Sequence, residues 1–401
     1  MMPADNGARL PESHVHPEQS EIVKFHAPEV VFGLGALMEA GFAAVRLGAR
    51  RPFVVTDEGI LQAGWVTEML THLGEAGLKP TVWSNVTPNP KDEEVKAGHA
   101  AYLDSGCDVI IGIGGGSAMD AAKGIAILSG NGGSILDYTG VDQVTRPIPP
   151  LLMIPTTSGT GADVSQFCIV TDTQRLVKCT IMGRALVPDI SITDPRLLVT
   201  MPDGLNAATG LDALTHGIEA YVSLANNPLA DSHALNAVRL VCTHLAGTLT
   251  HPGDLEGRKK MAQGSLEAGL AFSNAILGAT HAMSHQVGGL LDAPHGVVNG
   301  VLLSHVIRFN AEAAPERFRA VAMAVGLPVQ DAPADEVADM LANYVRALGD
   351  EVGVPRGLRE LGVSESDIPT LAQATLLDAC LTTNPRPAEV HDIERLFRAA
   401  L

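Results

Sequence analysis

Asp212 and His216 stand four residues apart in Gly210-Leu211-Asp212-Ala213-Leu214-Thr215-His216, and two further histidines, His281 and His295, follow downstream. Residues at that spacing share one face of a helix, so the carboxylate and the imidazole can point at one centre. His281 opens the run His281-Ala-Met-Ser-His285, and His295 lies in Pro294-His295-Gly296. One carboxylate with three imidazoles suits a divalent transition ion such as iron or zinc, and does not suit calcium or magnesium, which take oxygen ligands. Spacing alone leaves two arrangements open: one centre, or two pairs on separate surfaces, since the pairs are remote in sequence. The chain has 14 histidines, so a single placement carries no weight.

A second chemistry is written in glycine. Gly112-Ile113-Gly114-Gly115-Gly116-Ser117 follows an apolar run and opens a helical stretch that contains Asp120 and Lys123. Glycines there let backbone N–H groups approach a pyrophosphate, and the helix N-terminus adds partial positive charge. Glycines also serve plain tight turns; the position between strand and helix is what favours a nucleotide. A third apolar run leads into Pro155-Thr156-Thr157-Ser158-Gly159-Thr160-Gly161, and two such turns at strand ends would face one ligand in the crevice of a sheet. Asp57 ends an earlier apolar run, where a carboxylate accepts from a ribose diol and repels a 2′-phosphate, favouring NAD over NADP. The alternative for Asp57 is a helix N-cap.

These residues need elements to hold them. Arg51–Asp57, Asp108–Gly114 and Pro150–Pro155 read as buried strands, with helices predicted over Ile60–Gly77 and Ser117–Leu128. Strands alternating with helices predict an α/β region with a parallel sheet and helices on both faces. Past Pro202 the texture becomes Ala- and Leu-rich: Asn206–Val222, Pro228–Leu249, Gly257–Ala271 and Ser273–Leu290 read as helices, and eight or nine are expected up to Leu401. The predicted organisation is an N-terminal tail over residues 1–20, an α/β domain over 21–201 and an all-helical domain over 202–401. The cleft between the two domains is a natural ligand site.

Composition narrows the partners. The 401 residues carry 27 Lys and Arg against 45 Asp and Glu, a net charge of −18. That balance opposes non-specific binding to nucleic acid and to anionic membrane surfaces. No run has the length of a membrane span, and Met1–Ser20 lacks the apolar core of a secretory signal. The five cysteines are scattered without CxxC spacing, which points to a reducing cytoplasm. His14 and His16 read as part of a loose tail and not as ligands.

Taken together, Gly114-Gly115-Gly116-Ser117-x-x-Asp120-x-x-Lys123, Pro155-Thr156-Thr157-x-Gly159-Thr160-Gly161, Thr209–His216, Gly278–His285 and Pro294-His295-Gly296 resemble the iron-containing, metal-dependent alcohol dehydrogenases. The likeness runs from about residue 25 to the C-terminus. It implies a Rossmann-like dinucleotide-binding domain, a helical domain of the fold shared with dehydroquinate synthase, and a metal between them. Asp212, His216, His281 and His295 match the metal ligands of that family. Gly115, Gly116, Ser117 and Asp120 match its pyrophosphate loop, and Thr156, Thr157 and Thr160 its second cofactor-facing turn. Lys178, expected after the following hairpin, resembles a ribose-binding lysine; Leu197 and Asn89 match the adenine and ribose region more weakly. One departure stands out: Ala162-Asp163 replaces the Ser-Glu of many members and is expected to alter packing near the cofactor or substrate.

The resemblance implies an NAD-dependent interconversion of a small alcohol with its aldehyde or ketone, a divalent metal (Fe2+ favoured, Zn2+ or another ion also compatible) polarising the substrate oxygen. His285, one turn from His281 and matching no ligand, is expected to relay a proton or orient substrate; the alternative is that it orients a ligand. Phe167, Phe272 and Leu277 suggest an apolar cleft. Assembly to a homodimer or larger homo-oligomer is implied by the family alone. Related readings are a polyol or hydroxy-acid dehydrogenase, or a protein of this fold that binds NAD and metal to regulate. The sparse Arg and Lys of residues 205–300 argue against the basic pocket of dehydroquinate synthase, and the intact ligand set argues against the metal-free maleylacetate reductases.

Overall fold

The computed structural model describes residues 24–175 and 177–401. The N-terminal tail, with His14 and His16, lies outside the described residues. Among the described residues nine strands form two sheets: β1 (Glu29–Phe32), β2 (Pro52–Val55), β3 (Thr81–Trp83), β4 (Val109–Gly114), β5 (Gly140–Val141), β6 (Leu151–Pro155), β7 (Phe167–Asp172), β8 (Val177–Met182) and β9 (Ile190–Thr193). The main sheet has the order β1-β9-β6-β4-β2-β3 and is parallel throughout. A small second sheet, β5-β8-β7, contains the antiparallel β7–β8 hairpin.

The central strands are apolar without interruption because both faces are covered, as parallel sheets require. Their side chains still divide with period two. Phe53, Val55, Ile110, Leu151 and Met153 enter one apolar cluster, while Val54, Val109, Ile111, Ile113, Leu152 and Ile154 enter the other. The connection leaving β2 runs outward to β3, whereas that leaving β4 runs the opposite way to β6. Adjacent strands whose connections diverge leave a crevice beyond their C-terminal ends.

Nine α-helices follow among the described residues: Asp203–Val222, Pro228–Thr250, Leu255–Ala275, Ala279–Leu291, His295–Ala311, Pro315–Ala324, Ala334–Glu351, Ile368–Thr375 and Val390–Ala399. The Asp203–Val222 helix is buried almost all round, which makes it the axis of this half. No described helix is long and apolar enough to cross a membrane.

Two predicted helices are broken. Ile60–Gly77 is two helices, Glu58–Gln62 and Trp65–Glu75, divided at Gly64, whose φ of 85° is open to glycine and would strain other residues. Ser273–Leu290 is also wrong at its start, because Ser273, Asn274 and Ala275 end the preceding helix and the next begins at Ala279. Ile276 makes that break with φ 61° and ψ −165°, a conformation costly for a β-branched residue. Apolar periodicity runs through both breaks, so pattern alone does not show them.

Candidate metal and dinucleotide site

The Asp203–Val222 helix places Asp212 and His216 one turn apart on its buried face. The Ala279–Leu291 helix brings His281, and His295 begins the helix after it. All three imidazole Nε2 atoms surround one carboxylate oxygen: Asp212 Oδ1 lies 3.9 Å from His216, 3.7 Å from His281 and 3.8 Å from His295. A tetrahedral ion with bonds of about 2.0–2.3 Å spaces its donors roughly 3.3–3.8 Å apart. Donors of Asp212, His216 and His281 lie close enough together to share one such ion, and His295 approaches the same carboxylate oxygen. Side-chain exposure is 5% or less for Asp212, His216 and His281 but 24% for His295, so the centre opens on the His295 side.

Each ring is held from behind through Nδ1. His216 Nδ1 bonds to Gly159 O at 3.1 Å, His281 Nδ1 to Glu219 Oε2 at 2.6 Å and His295 Nδ1 to Ser284 Oγ at 2.9 Å. A partner on Nδ1 that fixes the ring and leaves Nε2 inward is the usual outer support of a metal ligand. Glu219 does more. Its carboxylate also accepts from Gly278 N at 3.1 Å and Thr280 N at 2.6 Å, so it caps the start of the helix that carries His281. Asp212, His216 and Glu219 fall at i, i+4 and i+7 on one helix, a spacing legible in the sequence but unused there. The Asn299 amide nitrogen, one turn from His295, lies 2.7 Å from Asp212 Oδ1, 3.2 Å from His281 Nε2 and 3.3 Å from His295 Nε2.

Electrostatics match the donor geometry. Burial opposes charge on Asp212, but His216, His281 and His295 hold its carboxyl well below the usual carboxylate range. Burial lowers His216 to about 4 and takes His295 well below its ordinary value, leaving both rings neutral with lone pairs to donate. Burial acts against charge on His281 too, yet the Asp212 and Glu219 carboxylates outweigh it and raise His281 to about 9. A metal ion taking this site must displace that proton. The wall beside the centre is apolar: Phe272 stacks on His216 at 4.3 Å between ring centroids, and Phe167 and Leu277 share its cluster.

The two glycine- and hydroxyl-rich turns lie together. A Cβ on Gly116 would meet Thr160 Cγ2 at 2.8 Å, and one on Gly115 would meet Thr157 Cγ2 at 3.2 Å. Buried hydroxyls of Thr156, Thr157, Ser158 and Thr193, at the C-terminal ends of β6 and β9, have no hydrogen-bond partner among the described residues. An unmet buried hydroxyl costs about 1–3 kcal/mol, so four together fit a polar ligand that would satisfy them. Asp57 is an N-cap, its Oδ1 accepting from Ile60 N at 3.1 Å, and its Oδ2 still faces Gly114. Asp120, part-buried beyond Ser117, has its carboxyl raised to about 7, burial outweighing the Lys123 ammonium nearby.

Lys178 lies within strand β8 and not after the hairpin. Its Nζ donates to Asn89 Oδ1 at 2.8 Å, while Asn89 N donates to Ser117 Oγ at 3.1 Å and Asn89 Nδ2 to Asp292 Oδ1. Asn89, Ser117 and Lys178 are thus one network reaching the helical half. Leu197 differs from expectation: it is fully buried in the cluster with Leu37, Val66 and Leu73, and its side chain is core. Asp163 of the Ala162-Asp163 departure is buried and accepts from Ser191 Oγ at 2.7 Å, so it ties the second turn to β9. His285 is bonded through Nδ1 to Asp378 Oδ2 at 2.9 Å, and its ring stacks on His295. The residues that sequence reasoning missed are Glu219, Ser284, Asn299 and Asp378.

The chain is similar to known proteins along nearly its whole length. The family model described as iron-containing alcohol dehydrogenase matches residues 27–195, and that of the Fe-containing alcohol dehydrogenase C-terminal region matches residues 206–401. A 1,3-propanediol dehydrogenase of Citrobacter freundii is 40% identical over 371 residues, 92% of this chain and 96% of the relative. An NAD-dependent methanol dehydrogenase of Bacillus methanolicus is 37% identical over 94% of this chain and 99% of the relative. The crystal structure of a 1,3-propanediol oxidoreductase superposes with a TM-score of 0.92 at 39% identity, covering 95% of this chain and all of that one. With both halves matched, and with carboxylate and imidazoles gathered beneath a nucleotide-type crevice, the chain belongs to the iron-containing alcohol dehydrogenases.

Proposed function

We propose that this protein is an NAD-linked oxidoreductase of a small alcohol or diol, working between two domains that meet near residue 202. The observation that carries the reading is the placement of three Nε2 atoms 3.7–3.9 Å from a single Asp212 oxygen, each ring anchored from behind. Asp212, His216, His281 and His295 would hold one divalent ion, Fe2+ or Zn2+ fitting the donor set, and the bound ion supplies Lewis acidity to the substrate oxygen. Nicotinamide supplies the hydride acceptor. Backbone N–H groups at Gly115, Gly116 and Ser117 would hold the pyrophosphate, with the hydroxyls of Thr156, Thr157 and Thr160 as further donors, and Asp57, Lys178 and Asn89 would address the ribose.

Substrate reaches the centre past His295, the least buried of the four, while Phe167, Phe272 and Leu277 exclude water from the far side. With NAD bound, the cofactor would accept hydride from the alcohol carbon, and the hydroxyl proton would need a base on the protein. His285 Nε2 is assigned that proton, because Nδ1 is committed to Asp378. Relatives named for propanediol and methanol support a short alcohol as substrate. The cytoplasm and a homo-oligomeric state are part of this proposal, supported by five unpaired cysteines and by the family respectively.

The test is NADH absorbance during a screen of short alcohols, diols and hydroxy acids, using protein purified without oxygen and loaded with ferrous ion or zinc. Elemental analysis runs alongside. The expected result is turnover proportional to bound metal, with His281→Ala losing metal and turnover together. Full turnover by metal-free protein, or metal retained undiminished by His281→Ala, would refute the assignment.

A further inference from the structure

His285 is the proton-handling group of the proposed reaction, and it carries no local device that sets which of its nitrogens is free. The device comes from 93 residues away in sequence: Asp378 Oδ2 lies 2.9 Å from His285 Nδ1. We propose that Asp378 is a positioning residue, whose carboxylate accepts from His285 Nδ1 and so makes Nε2 the nitrogen that meets the substrate hydroxyl. This inference rests on the relay reading of His285 given above.

The geometry is built for that purpose. Asp378 caps the short 3-10 helix Ala379–Thr383, its Oδ1 accepting from Cys380 N at 2.9 Å. Its other oxygen receives His285 Nδ1 and the Gln286 side-chain amide at 3.2 Å. Both oxygens are therefore engaged, and the side chain is only 10% exposed. The segment around it is fastened to the same helix that carries His285. Asn384 Oδ1 accepts from Ala279 N at 3.0 Å, and Thr383 Oγ1 donates to Leu277 O at 2.7 Å. Asn384 is itself held by Asn310, whose Oδ1 accepts from Asn384 Nδ2 at 2.7 Å. The Asp378–His285 distance is thus fixed at both ends, so the carboxylate acts on a ring that cannot turn away from it.

A carboxylate can only accept, which forces Nδ1 to be the protonated nitrogen of the neutral ring. This arrangement repeats what Glu219 does for His281, but here the freed Nε2 is not one of the nitrogens around Asp212. The same logic of carboxylate, imidazole and reacting hydroxyl is used for orientation in hydrolases. Cys380 Sγ, His285 and Asp378 also lie close enough to suggest a metal set of their own. Against that, Asp378 already has all its oxygens bonded, and no fourth donor joins the group among the described residues.

The decisive variant is Asp378→Asn, measured in the metal-loaded, full-length enzyme with His285→Ala and the double variant beside it. An asparagine keeps the shape, but its amide nitrogen can donate to Nδ1 and stabilise the opposite tautomer. We expect kcat to fall about 100-fold or more, with bound metal per chain, NAD affinity and KM near the parent values. In the His285→Ala background the same substitution should cost nothing further, because the two residues act as one unit. Asp378→Ser provides a second route should the amide disturb folding: serine still caps Cys380 N but is too short to hold His285, so the same kcat loss is expected. An unchanged kcat in Asp378→Asn, or an equal loss in both backgrounds, overturns the positioning role. Loss of metal in Asp378→Asn also overturns it in favour of a ligand role. Parent-level kcat in His285→Ala overturns the relay reading itself, and the positioning role with it.

Discussion

Glu219→Gln tests whether the metal centre is set by its outer support as much as by its ligands. Glu219 is 2% exposed and accepts three bonds: from Gly278 N, from Thr280 N and from His281 Nδ1. Gly278 and His281 share one oxygen, and Thr280 has the other. A glutamine has one acceptor and two donors at those places. With its carbonyl towards His281, its amide hydrogens meet the Thr280 N–H; turned over, they meet Gly278 and His281. Either way at least one buried donor loses its partner, and a bond to a charged acceptor is lost with it.

The cost is about 2–4 kcal/mol in the apoprotein, from roughly 1–3 kcal/mol for a stranded buried group and more where charge is involved. The variant also removes one of two buried carboxylates, Asp212 and Glu219, that would balance a divalent ion there. Outer partners of metal-bound histidines typically carry 10–100-fold in affinity, about 1.4–2.8 kcal/mol. Competition with a chelator, on zinc- or cobalt-loaded protein, reads the second figure; thermal melting with and without excess metal reads the first. The expected result is a melting point lowered by several degrees and only partly restored by metal, with weaker retention. Parent-like retention together with a parent-like melting point would refute the reasoning.

Asp57→Gly separates cap from cofactor selector, since glycine at an N-cap costs only a few tenths of a kcal/mol. Discrimination against NADP should relax in steady-state kinetics, and an unchanged NAD preference would leave Asp57 as a cap alone. Ile276→Gly removes the left-handed strain at φ 61°, worth about 1–3 kcal/mol, and so should leave the melting point unchanged or higher despite the lost side chain. A clear drop would show that the break is held by Ile276 packing. Asp120, raised from 3.8 to about 7, binds a proton in the folded state that the unfolded chain has released between those values. Its contribution to stability therefore falls as pH rises from about 4 to 7. Asp120→Asn should melt like the parent near pH 4 and higher than the parent at pH 8; the same difference at both pH values would remove this attribution.

Much of the site was legible in the order of residues. The types and spacing of Asp212 and His216 announce a helix-borne donor pair, and Gly114–Ser117 between an apolar run and a helical one announces a phosphate turn. The alternation of strand and helix up to Pro202, and its end there, announces the parallel sheet and helical half that the structure contains. These features are local: each depends on backbone periodicity or on residue chemistry within a few positions, which sequence carries directly. The helix breaks at Gly64 and Ile276 were hidden because apolar periodicity continues across them.

What only the tertiary structure decided is which groups stand behind the ligands. Gly159 holds His216 across 57 residues, Glu219 holds His281 across 62, and Asp378 holds His285 across 93. No periodicity links such pairs; they meet because helices from separate stretches pack into one core. The same packing turned Leu197 into the core and gathered the unmet hydroxyls of Thr156, Thr157 and Thr193 at the C-terminal ends of two neighbouring strands. Sequence alone determined the donors, because donor chemistry belongs to the residue. Tertiary structure decided their number at one centre, their free nitrogens and their exposure, because those belong to the packing of distant segments.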